Sequence, residues 1–241
     1  MHQLANPKRF MEIAVRFEPW LWLVAAGLIG VSLYAALFLV PPDYKQGDTV
    51  RIMYIHVPSA WMSLFVYVFL AAASAVALIF KHPLADMAAK ASAPVGAAFT
   101  FVTLVTGSLW GRPMWGTWWE WDARLTSELV LLFLYLGYIA LWRAIEDPIR
   151  AAKAAAVLAL VGIVNVPIIH FSVEWWRTLH QPASVFRLEG PTIHITMLWP
   201  LLLAGLGFMV LFAAVLLVRM RTEILERRLR TERLQLAEPF H

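Results

Sequence analysis

Marking every Asp, Glu, Lys and Arg leaves long uncharged apolar runs at residues 20–40, 52–80, 91–111, 154–173 and 190–218. Each can cross a hydrocarbon layer of ~30 Å at a helical rise of ~1.5 Å per residue. A sixth run, 129–142, reaches that length only when extended back through Leu125, Thr126, Ser127 and Glu128, which sets the Glu128 carboxylate near one membrane surface. The pattern predicts an all-α integral membrane protein with six transmembrane helices, at about residues 20–40, 57–80, 91–109, 125–142, 154–172 and 196–218. No linker or break in composition divides the chain, so residues 1–241 read as a single polytopic membrane domain. The first run, with 21 uncharged residues, is too long for the ~7–15-residue apolar region of a cleaved signal peptide.

Composition narrows the choices. The chain is 61% hydrophobic and 15% charged, against about 25% charge in soluble domains. It has no Cys, which excludes disulfides, iron–sulfur ligation, thiolate zinc and thioether-attached haem on this chain. An N-terminus in the cytoplasm would put fourteen of the twenty Lys and Arg residues on the cytoplasmic side. The positive-inside rule therefore predicts that both termini are cytoplasmic. The Arg-rich tail after Val218 reads as a helix extension at the anionic inner leaflet, and nothing calls for a nucleic-acid partner. The cytoplasmic connections are short and basic, whereas the external ones at 110–124 and 174–189 are rich in aromatics. Long ordered loops on a rigid scaffold are where binding residues concentrate.

Five of the twelve tryptophans, Trp110, Trp115, Trp118, Trp119 and Trp121, fall in the external segment between the third and fourth spans. An interfacial belt accounts for the scattered Trp20, Trp22, Trp142 and Trp199. A short helix over residues 115–122 would place Trp115, Trp118, Trp119 and Asp122 at i, i+3, i+4 and i+7, an aromatic shelf bracketed by Arg112 and Arg124. Such a surface suits a large planar ligand with anionic edges, and haem has that shape and charge pattern. The guanidinium groups of Arg112 and Arg124 would then meet its propionates. Glu120, Asp122, Glu128 and Glu174 lie near the shelf, with Arg112, Arg124 and Arg177 available to pair with them.

Of the seven histidines, His2, His82 and His241 fall at a terminus or on the cytoplasmic side and read as solvated. His56 at the external end of the second span and His180 in the loop after the fifth share the depth and side of the shelf, and two imidazoles would complete the axial coordination of a haem iron. His170 and His194 also fall on the outer side, and spacing alone does not rank the four. Walker, zincin and serine-hydrolase motifs are absent, so any ATP-driven step belongs to a partner.

The run Trp115-Gly116-Thr117-Trp118-Trp119-Glu120-Trp121-Asp122-Ala123-Arg124 resembles the tryptophan-rich signature of the haem-handling superfamily of cytochrome c maturation. The segments Tyr54–Pro58, Thr106–Ser108, Trp110–Met114 and Val173–Gln181 narrow the resemblance to its haem exporter C family, over about residues 7–218. The resemblance implies a bacterial inner-membrane protein that holds haem b, non-covalently and transiently, at its periplasmic face. By motif it assigns the axial ligands to His56 and His180, and the haem and chaperone surface to the tryptophan segment with Trp115, Trp118, Trp119, Trp121 and Asp122. It implies delivery to a haem chaperone, maturation protein E. It also implies an ATP-binding cassette complex of maturation proteins A and B, with a small single-span protein D alongside. The role expected is presentation of haem rather than catalysis. The competing readings are a b-type electron-transfer cytochrome, which would want central histidines that no span has, and a permease, which would want a polar path. The polar residues inside the runs are chiefly Ser32, Ser63, Ser74, Thr100, Thr103 and Asn165.

Overall fold

A computed structural model describes residues 6–237, so His2 and His241 lie outside the described residues. Seven α-helices follow one another: α1 (Pro7–Tyr34), α2 (Met53–Phe80), α3 (Pro83–Trp115), α4 (Ala123–Ala144), α5 (Pro148–Gly162), α6 (Asn165–Trp175) and α7 (Ile195–Ala237). A π-helical turn, Ala35–Leu39, prolongs α1, and a 3₁₀ turn, Asp48–Ile52, leads into α2. Six stretches are long and apolar enough to cross a membrane, α5 and α6 counting together as one. The protein is thus an all-α, multi-pass membrane protein.

Local chemistry fixes the helix starts. Asn6, His82 and Asp147 each precede a proline, and each side chain accepts a hydrogen bond from a free backbone N–H of the first turn. Prolines also mark where the fifth span departs from the single helix expected over 154–172. The ring of Pro167 removes the donor that would meet the Ile163 carbonyl one turn earlier, and the span breaks at residues 163–164 between α5 and α6. The helices otherwise run past the expected limits. The first begins at Pro7, and α7 continues without interruption through the Arg-rich stretch to Ala237.

α2 and α3 form the central antiparallel pair, with Lys81 in the left-handed conformation at the turn between them. α4 and α7 pack on α3, α1 packs on α7, and α5 and α6 pack on α4. The core is centred on Tyr67 and Tyr135, whose rings meet edge to face at 5.1 Å. Close packing there depends on glycine, because a Cβ on Gly96 would lie 2.2 Å from the Tyr135 ring and one on Gly162 would lie 2.0 Å from the Tyr67 hydroxyl. At one end of the bundle ion pairs clamp the tail of α7. Arg221 bonds Glu18 of α1, and Arg227 bonds Asp86 of α3 at 2.7 Å while also holding Glu223, which pairs with Lys90 at 2.7 Å. The opposite end carries the tryptophan segment, the start of α2 and the long connection over residues 176–194.

Candidate functional site

His56 sits in the first turn of α2, against the last turns of α3. Its Nδ1 lies 3.0 Å from Thr106 Oγ1, and its ring meets Trp110 edge to face at 5.6 Å. Thr106, Gly107 and Trp110 fall on one face of α3. The missing side chain of Gly107 makes the seat, since a Cβ there would approach His56 Cε1 to 3.0 Å. The Thr106 hydroxyl already donates to the Val102 carbonyl at 2.6 Å, so toward His56 it can only accept. The imidazole therefore carries its proton on Nδ1 and keeps the Nε2 lone pair free, the form a metal-ligating histidine requires.

His180 reaches the same form by another route. Its Nδ1 lies 3.3 Å from Asp122 Oδ2, a carboxylate acceptor that fixes the proton on Nδ1 and again frees Nε2. The ring packs on Trp115 at 4.9 Å. Asp122 is buried and serves three groups. Its Oδ1 accepts from the Leu125 N–H at 2.8 Å, capping α4, while its Oδ2 also accepts from the Leu179 N–H at 3.3 Å. Burial alone would raise its carboxyl pKa. The hydrogen bonds from His180, Leu125 and Leu179 outweigh burial and hold it below the ordinary value of 3.8.

The two imidazoles share one neighbourhood: His56 lies within the electrostatic reach of both His180 and Arg124. Arg124, in the first turn of α4, is half-buried, and among the described residues it makes no hydrogen bond or ion pair; Glu128 and Asp122 are its electrostatic neighbours. Arg112 differs, because its guanidinium bonds the Gly116 carbonyl and closes the end of α3. Glu128 is buried and accepts from Ser63 Oγ at 2.7 Å, while the Ser63 carbonyl accepts from the Tyr135 hydroxyl at 2.8 Å. The pairing expected between the nearby acids and Arg112, Arg124 or Arg177 is not found among the described residues; a histidine and a serine take those places for Asp122 and Glu128.

The short helix expected over residues 115–122 is not formed. Trp115 is the last residue of α3, Gly116 turns the chain at φ +78°, and residues 117–122 are irregular up to the extended Asp122. A helix there would deny Asp122 the extended backbone that its capping role needs. The tryptophans consequently split. Trp115 packs inward on His180, and Trp119 stacks edge-on to Trp121 at 5.4 Å. Trp118 and Trp121 are 57% and 73% exposed.

Neither rival histidine joins the pair. His170 is exposed on α6 against its neighbour Phe171, and His194 caps α7 by accepting from the Thr196 N–H at 3.3 Å. His82 caps α3. Sequence reasoning missed Thr106 and Trp110 as the partners of His56, although their spacing on a helical face was a readable signal, and it missed Ser63 as the partner of Glu128.

This arrangement coincides with a match to known proteins: the sequence profile of the family described as Heme exporter protein C covers residues 1–235. The chain belongs to the Heme exporter protein C family. A member from Bradyrhizobium diazoefficiens is 58% identical over 228 residues, covering 95% of this chain and 86% of its own. The Escherichia coli K12 member is 49% identical over 225 residues, covering 93% and 91%. A Marchantia polymorpha protein described as a putative cytochrome c biosynthesis ccmC-like mitochondrial protein is 43% identical over 222 residues, covering 92% and 94%. This Heme exporter protein C family chain thus places His56, His180, Arg124 and the tryptophan segment at one end of its six-span bundle.

Proposed function

We propose that this chain acts in haem export for cytochrome c biogenesis, holding haem as cargo between His56 and His180 and presenting it at the membrane surface. The observation that carries this reading is the pair of imidazoles in one neighbourhood, each with Nδ1 engaged by an acceptor and Nε2 free. Haem iron takes two such nitrogens. Arg124, half-buried beside the pair and without a hydrogen-bonding partner among the described residues, supplies the cation for a propionate. Arg112 serves this less well, with its guanidinium on a backbone carbonyl.

The chain's own residues supply ligation and orientation. Asp122 and Thr106 hold the imidazoles in the ligating form, Trp110 and Trp115 fix their ring planes, and the exposed Trp118 and Trp121 offer an apolar face to a receiving protein. That receiver is the haem chaperone, maturation protein E, with maturation proteins A and B supplying ATP-driven release and protein D alongside. The positive-inside rule sets the site on the periplasmic side of the bacterial inner membrane, with both termini in the cytoplasm. Presentation needs no bond-making residue here, so any covalent attachment of haem takes place on the receiving protein while this chain fixes geometry and iron ligation. The test is the absorption spectrum, oxidised and dithionite-reduced, of the detergent-purified protein beside His56→Ala and His180→Ala. A bis-imidazole low-spin spectrum lost in each variant is expected; one that both variants retain overturns the assignment.

A further inference from the structure

At the end of the bundle away from the histidines, α4 and α7 both pack on α3 and diverge from one another. Between them opens a cavity of about 500 Å³, walled by residues of all three helices. Its chemistry is uneven. Lys90 lies over the Trp142 ring at 4.7 Å and is paired with Glu223, so its charge is already met. The other two cations in the wall have charge to spare. Arg219 bonds the Ala91 carbonyl through Nε alone, and Arg143 is exposed and forms no ion pair among the described residues. The Trp142 Nε1–H is buried and faces the Tyr138 hydroxyl, which also lines the wall. The carboxylate of Glu226, which forms no ion pair among the described residues, completes the wall.

We propose that this cavity binds the headgroup of an anionic phospholipid. The two guanidinium groups carry unspent donors, and phosphate oxygens are acceptors of matching geometry. Two spare cations against Glu226 leave one net positive charge for one phosphodiester. Glu226 is placed to accept from a hydroxyl of the headgroup. A free phosphate offers the same oxygens, but the position favours lipid. The opening lies between membrane-spanning helices, where Trp142 and the start of the Arg-rich stretch mark the boundary of the bilayer.

Native mass spectrometry on the full-length, delipidated protein in detergent tests this, with phosphatidylglycerol, phosphatidylcholine of the same acyl chains, and inorganic phosphate as separate titrants. Phosphatidylglycerol should bind about tenfold more tightly than phosphatidylcholine, and Arg143→Gln with Arg219→Gln should abolish the preference. The single variant Arg143→Gln, at an exposed residue, should weaken the preference without changing thermal unfolding. Equal binding of the two lipids overturns the proposal, as does a preference that survives in the double variant. Inorganic phosphate displacing the lipid at comparable concentration overturns it as well, by assigning the cavity to a soluble anion.

Discussion

On the proposed ligation by His56 and His180, replacing Asp122 by Asn changes one atom of the site and should disable one of the two ligands. The wild-type carboxylate accepts at 2.8 Å from Leu125, at 3.3 Å from Leu179 and at 3.3 Å from His180 Nδ1. Asn keeps an oxygen for the Leu125 N–H, and Asn caps helices about as well as Asp, so α4 should start as before. In place of Oδ2 it presents an amide NH₂ to two donors. The Leu179 N–H is then left unmet, which costs about 1–3 kcal/mol. His180 can relieve its own clash only by moving the proton from Nδ1 to Nε2, which blocks the lone pair that iron needs. Loss of a carboxylate behind a ligating histidine typically weakens metal binding about 10–100-fold. The assay is an equilibrium haem titration by absorption, with thermal unfolding of the haem-free protein as a check on the fold. Wild-type affinity together with a wild-type spectrum in a folded Asp122→Asn protein would refute the tautomer argument.

Three further outcomes follow from neighbouring contacts. Because its hydrogen bonds hold the Asp122 carboxyl below 3.8, the stability it contributes is complete above the ordinary carboxylate range and is lost as pH falls through the lowered value. An acid titration of the unfolding temperature should accordingly show a decline below that range that is smaller in Asp122→Asn. Thr106→Val removes the acceptor for His56 Nδ1 while keeping the shape of the side chain, and should cost about 10-fold or more in haem affinity; an unchanged titration would remove Thr106 from the site. Gly162→Ala drives a methyl group into the Tyr67 hydroxyl and should destabilise the bundle by about 1–3 kcal/mol with no change in the spectrum of whatever protein folds.

The architecture was legible because membrane spans announce themselves by the absence of charge, a property that needs no partner to be read. That His56 and His180 lie at the same end of the bundle was legible too, from their depth, while the choice of these two over His170 and His194 came only from the motif. The backbone at the site was not legible. Helical spacing from Trp115 to Asp122 invited a helix, yet Gly116 ends α3 and Asp122 is committed to starting α4, so the two flanking helices overrule the local periodicity. The partners of Asp122 and Glu128 were hidden for a different reason. Charge pairing suggests arginine, whereas the residues that meet these carboxylates, 58 and 65 positions away along the chain, are His180 and Ser63. Only the packing of distant helices brings them into reach. The break between α5 and α6 could have been found from Pro167, since the rule that places it is local.

The three hydrogen bonds to Asp122 also have a meaning in time. The chain emerges from synthesis in order, and the Asp122 carboxylate must wait 58 residues for its histidine. Until the fifth span and the loop after it have been made, His56 lacks its neighbour and Asp122 only caps a helix. A nascent or truncated chain ending before His180 would hold half of the proposed pair of ligands. On the proposed reading, assembly of the haem site is a record of completed insertion, and a cargo that demands both imidazoles would ignore chains still being made.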